Sequence, residues 1–103
     1  MQDEHETPEP SEAVRLEVCV RGRVQGVGFR AFIRDRADRL GVRGRVWNGD
    51  EGEVYVVAEG PRLALESLLA ALREGPRLAQ PAGVEVRWMP ATGRAPVPFQ
   101  VTG

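Results

Sequence analysis

The chain has 103 residues, 42% hydrophobic and 28% charged, enough for one domain that buries somewhat over ~60% of its unfolded surface and too few for a two-domain enzyme. Its apolar runs fall far short of the ~20 residues that cross a bilayer, and its N-terminus is acidic where an export signal would be basic, so a soluble, cytoplasmic protein is expected. The single cysteine, Cys19, can form neither an internal disulfide nor a zinc site, and no metal is expected.

The formal net charge of -1 conceals two regions of opposite sign. Residues 1–12 carry Asp3, Glu4, Glu6, Glu9 and Glu12 with no basic residue, leaving fourteen arginines against ten acids in the remainder. Between Arg15 and Arg45 there are nine arginines against Glu17, Asp35 and Asp38, a bias that steers anionic ligands inward. All the basic residues are arginine; this fits coding bias, although arginine also offers a planar fork for phosphate that lysine lacks.

In chain order, the polar, proline-bearing segment 1–12, with the lone histidine His5, reads as a disordered acidic tail before a domain spanning 13–103. Val14, Leu16, Val18 and Val20 alternate with Arg15, Glu17, Cys19 and Arg21, which predicts a half-buried first strand with Cys19 exposed or half-exposed on its open side. The loop GRVQGVG (22–28) follows. Phe29, Phe32, Ile33, Ala37 and Leu40 then fall at helical spacing, with Gly41 as the stop. Val42–Trp47 and EVYVVAE (53–59) predict a hairpin around NGDEG. Leu65, Leu68, Leu69 and Leu72 predict a second helix, opened by Gly60 and Pro61 and closed by Gly75 and Pro76. Residues 76–82 are expected to be a loop, Val84, Val86 and Trp88 a fourth strand, and PFQV (98–101) a short terminal edge strand. Strand, helix, strand, strand, helix, strand with right-handed crossovers predicts an α+β ferredoxin-like sandwich: an antiparallel sheet with two helices on one face.

The informative segment is the first strand–loop–helix junction. Three glycines in GRVQGVGFR (22–30) permit backbone N–H groups to turn inward, and the helix that follows opens with unpaired N–H groups and a partial positive charge. Such a junction can cradle phosphate, with Arg30 closing it by a forked contact; the same residues equally serve a plain turn and a solvated helix start, and spacing alone does not choose. A P-loop is excluded because the chain has no lysine. GVGFRA (26–31), with Asp50 further on, satisfies a dinucleotide pattern, but two helices are too few for that fold. Cys19 has no base near it in sequence, so a catalytic thiol is not expected. The open face of the first strand carries no aromatic, which argues against an RNA-binding sheet. Asn48-Gly49 is by itself a hairpin signal, and Trp47 and Tyr55 read as sheet-packing aromatics.

These residues give the chain a resemblance to the acylphosphatases. The first signature of that family, G-x-V-Q-G-V-x-F-R, is matched by Gly22, Val24, Gln25, Gly26, Val27, Phe29 and Arg30, and the second by Gly44, Val46, Asn48, Gly52 and Val54. The likeness spans residues 14 to about 102, the VVAEG segment and Phe99 included. It implies hydrolysis of acyl phosphates by in-line attack of water. It further implies a phosphate-binding loop of Arg23, Val24, Gln25, Gly26, Val27 and Gly28, with Arg30 binding the phosphate and Asn48 orienting the water. No cofactor or metal is implied, and the expected partners are a small acyl phosphate and inorganic phosphate, with neither nucleic acid nor membrane. The family also includes larger proteins with such a domain at their front; this chain, without Cys pairs, is expected to be free-standing and monomeric. Where the family usually has an aromatic, Arg45 stands, and Trp47 takes a place often basic. A non-catalytic anion sensor is the rival reading, separated by phosphate release.

Overall fold

In the computed structural model, which describes residues 12–102, the alternating segment forms strand β1 (Ala13–Arg23). Leu16, Val18 and Val20 face inward and are at most 3% exposed, as a period of two requires. The expected tail, His5 included, lies almost wholly outside the described residues. Helix α1 (Phe29–Leu40) follows, then β2 (Arg43–Asn48), β3 (Val54–Pro61), helix α2 (Arg62–Glu74), β4 (Gln80–Pro90) and β5 (Gln100–Thr102).

The strands lie in the order β4-β1-β3-β2-β5. The first four pair antiparallel, as expected. β5 joins the free edge of β2 in parallel, because the chain leaving β4 crosses the end of the sheet before turning upward, and this makes the sheet mixed. Both helices contribute to one apolar cluster. Phe29, Ile33 and Ala37 from α1, and Leu65, Leu68, Ala71 and Leu72 from α2, meet Val18, Val46, Val56 and Phe99, so both cover the same face of a ferredoxin-like sandwich. Single apolar stripes at helical spacing require this: each helix has one face to bury, and the sheet offers one partner.

Three expectations need correction. Gly22 and Arg23 belong to β1 rather than the loop, and β4 begins at Gln80 within the expected loop 76–82. Beyond a bulge at Arg21/Gly22, Gly22 pairs with Pro81 and Arg23 with Gln80, a long-range pairing that Gly, Pro and Ala do not announce locally. Cys19 is 8% exposed, hence buried. It lies opposite Tyr55 on one side and Glu85 on the other, and these larger neighbours cover a small side chain on the helix-free face.

The segment joining β4 to β5 is pinned by Glu59. This carboxylate, 1% exposed, sits opposite Arg15 in the β1–β3 register. Its Oε2 accepts from Arg15 Nη1, the Thr92 N–H and the Thr92 hydroxyl, each at 2.8 Å, and its Oε1 accepts from the Gly93 N–H at 2.9 Å. Burial alone pushes the Glu59 carboxyl up. The Thr92 N–H, the Arg15 guanidinium, the Thr92 hydroxyl and the Gly93 N–H outweigh it and hold the pKa down at about 2. Gly44 N–H then donates to the Pro96 carbonyl at 2.9 Å, so the crossing segment is tied to β2 before β5 begins.

Candidate active site

Gly28 caps α1 in the left-handed region, at φ 75 and ψ 22, a conformation glycine adopts without penalty. Phe32 N–H donates to the Gly28 carbonyl at 3.0 Å, the first bond of the helix. No side chain caps this end and its first turn holds no acidic residue, so the N–H groups of the opening turn remain available to an anion, reinforced by the helix dipole. Val24 and Phe29, 1% and 2% exposed, anchor the two ends of the loop in the core and fix where its polar backbone faces.

A cavity of about 290 Å³ opens at this junction, lined by Val24, Gln25, Gly26, Gly28, Phe29, Arg30, Ala31, Arg34, Asn48 and Val101. Arg30 is half-buried, and its Nη1 makes a long contact of 3.4 Å to the Thr102 carbonyl at the end of β5. Asn48, the last residue of β2, reaches the cavity from the opposite wall. The turn beyond it is held by Glu53, which is 7% exposed. The Glu53 carbonyl accepts from Gly49 N–H at 2.7 Å, and its carboxylate accepts from Glu51 N–H at 2.8 Å and from the Tyr55 hydroxyl at 3.1 Å. The Glu53 carboxyl is held below its ordinary value, first by a backbone N–H of its own residue and then by those same partners, against the opposing effect of burial. The Tyr55 hydroxyl is raised in turn, first by its bond to Glu53. The turn also approaches the loop: a Cβ on Gly52 would lie 4.0 Å from Gln25 Nε2.

Six of the eight residues singled out in the sequence line this cavity: Val24, Gln25, Gly26, Gly28, Arg30 and Asn48. Arg23 closes β1 as an exposed strand residue, and Val27 turns its side chain onto the core. Sequence reasoning missed Arg34, Ala31 and Val101. The spacing of Arg34, four residues after Arg30 on a helix, could have found it; nothing local announces Val101, which arrives by the parallel pairing of β5. On the open face, Arg45 Cζ lies 4.0 Å above the Trp47 ring, which stacks on Tyr55 at 5.5 Å and 22°, so the cation and the aromatic at these two positions share one face and touch. Larger hollows beside Trp88 and over Tyr55 bring together no comparable set of glycine loop, arginine and amide. Among the described residues no three His, Cys, Asp or Glu side chains are placed to hold a metal ion.

The fold and cavity define an α+β sandwich whose first strand–loop–helix junction opens on a cavity lined by Arg30, Arg34 and Asn48. The acylphosphatase family profile matches residues 16–101. An acylphosphatase of Thermus thermophilus is 54% identical over 74 residues, 72% of this chain and 84% of that protein, and one of Salinibacter ruber is 53% identical over 77 residues, 75% of this chain and 81% of that protein. The crystal structure of acylphosphatase from Bacillus subtilis superimposes with a TM-score of 0.82 at 33% identity, covering 87% of this chain and 99% of that one. The chain belongs to the acylphosphatase family.

Proposed function

We propose that this protein hydrolyses the carboxyl–phosphate bond of acyl phosphates, releasing a carboxylate and inorganic phosphate. The observation that carries this reading is the convergence of the Gly26–Gly28 backbone, the start of α1, Arg30 and Asn48 on one cavity, in a chain of the acylphosphatase family.

An acyl phosphate is a mixed anhydride whose leaving group is a carboxylate of pKa ~4, so it departs at neutral pH without a proton from a general acid. What remains to be supplied is stabilisation of the charge on the phosphoryl oxygens and a nucleophile in line. Loop and helix N–H groups hold those oxygens, and Arg30 exchanges its long contact with the Thr102 carbonyl for a charge-assisted fork onto the phosphoryl group. The Asn48 amide holds a water against phosphorus. As the water oxygen bonds to phosphorus, the bond from phosphorus to the acyl oxygen breaks and its electron pair leaves on the carboxylate. Asparagine cannot accept a proton at neutral pH, so the water proton passes to a phosphoryl oxygen.

The same reading takes the protein to be a cytoplasmic monomer acting on a small substrate. The modest volume of the cavity, about 290 Å³, suits a small substrate, and a single cysteine is in keeping with a reducing compartment. The direct test is phosphate release from benzoyl phosphate beside a phosphate monoester and ATP, run in ¹⁸O-water. Hydrolysis of the acyl phosphate alone, with the label in the phosphate, is expected. An inert folded protein, or label in the benzoate, would overturn the reading.

A further inference from the structure

We infer that Arg34 makes the cavity selective for acyl phosphates whose acyl chain ends in a second anionic group. The inference rests on the proposed hydrolysis and names the substrate class of that same site. Among the described residues, Arg30 and Arg34 are the only charged ones that line the cavity. They stand one turn apart on one face of α1, about 6 Å along the helix. With the cradle and Arg30 engaged by the phosphoryl group, Arg34 remains as a second cation on the same wall. Among the described residues no carboxylate lines the cavity beside it. Among the described residues its acidic contact is Asp35 Oδ1 at 3.8 Å, with side chains 47% and 61% exposed, a loose pair between consecutive residues that point to different sides of the helix, which holds the guanidinium weakly.

The rest of the lining sets the shape of the ligand. Ala31 and Val101 line the cavity as exposed apolar side chains and suit a short methylene chain. A carboxylate at the far end of a chain such as that of succinyl phosphate then lies about one helical turn from the phosphoryl group, within reach of the Arg34 fork. A chain of the same length with an uncharged end fills the apolar part and leaves Arg34 in water.

The test compares kcat/KM for succinyl phosphate and butyryl phosphate, which share the acyl chain length, in the wild-type protein, Arg34→Gln, Arg34→Lys and Arg39→Gln. The last removes the same charge from an exposed position of α1 away from the cavity. Wild type and Arg39→Gln are expected to favour succinyl phosphate by roughly fivefold or more, a preference that fades in high salt. Arg34→Gln is expected to abolish the preference while butyryl phosphate hydrolysis and inhibition by inorganic phosphate stay within about twofold of wild type, and Arg34→Lys to retain part of it. Equal rates on the two substrates in wild type, or a preference that survives Arg34→Gln, would overturn the inference. So would parallel loss of butyryl phosphate hydrolysis and phosphate inhibition in Arg34→Gln, which would make Arg34 a ligand of the phosphoryl group. A folded wild-type protein inert on both substrates would instead refute the hydrolysis reading on which the inference stands.

Discussion

Replacing Glu59 by glutamine keeps the size of the side chain and removes its charge from a site 1% exposed to solvent. Four donors converge on that carboxylate. An amide offers one acceptor oxygen to them and turns an NH₂ group toward the rest, leaving Arg15 with Glu17 as its remaining acidic partner, at 2.8 Å. The magnitude follows from proton linkage. The carboxyl titrates at about 2 in the folded protein against 4.5 as the ordinary value; at about 1.4 kcal/mol per pH unit this corresponds to about 3 kcal/mol of folding stability at neutral pH. Because the folded value is the lower one, the contribution is complete above pH 4.5 and is lost as pH falls toward 2. Glu59→Gln is therefore expected to lower the melting temperature by roughly 10 to 20 °C at pH 7. The gap should hold constant down to about pH 5 and narrow below it. Thermal melts of both proteins from pH 7 to pH 2.5 read this directly. A gap under about 3 °C at neutral pH, or one that does not change between pH 5 and pH 2.5, would refute the role given to Glu59.

Two further pairs of substitutions separate mechanisms that look alike in the sequence. Gly28→Ala adds a Cβ that meets nothing within 4 Å and carries only the left-handed backbone penalty of about 1 kcal/mol. Gly44→Ala drives its Cβ into the Val57 carbonyl oxygen, which forces β2 from β3 and should cost at least about 3 kcal/mol in urea denaturation. Leu68→Ala, at a position 0% exposed, is expected to cost about 2 to 5 kcal/mol. Leu63→Ala, on the same helix but 63% exposed, should stay within about 0.5 kcal/mol.

What the sequence makes legible is what short-range pattern encodes. The alternation from Val14 to Val20 and the helical spacing of Phe29, Ile33 and Ala37 are each set by one element burying one face. The strand–loop–helix junction is legible for the same reason: glycines, the helix start and Arg30 are neighbours in the chain. Residues whose meaning depends on pairing between distant segments are not. Glu59 reads as one more acid at the end of a strand until the register sets it opposite Arg15 and the crossing segment closes over it. Cys19 reads as exposed because alternation states which face it occupies and not which neighbours flank it. Val101 reaches the cavity only through the parallel edge pairing of β5, and the start of β4 at Gln80 is visible only beside Arg23.

The proposed mechanism divides the labour: Arg30 and the cradle bind the phosphoryl group, and Asn48 places the water. The most direct measurement sets kcat for benzoyl phosphate beside the inhibition constant for inorganic phosphate in wild type, Arg30→Ala and Asn48→Ala, with circular dichroism confirming that each variant is folded. Arg30→Ala should lose both, by roughly 10²-fold or more in rate. Asn48→Ala should lose kcat on a similar scale while its phosphate inhibition constant stays within about twofold of wild type. Wild-type turnover in folded Arg30→Ala, or equal loss of turnover and phosphate binding in folded Asn48→Ala, would contradict the account.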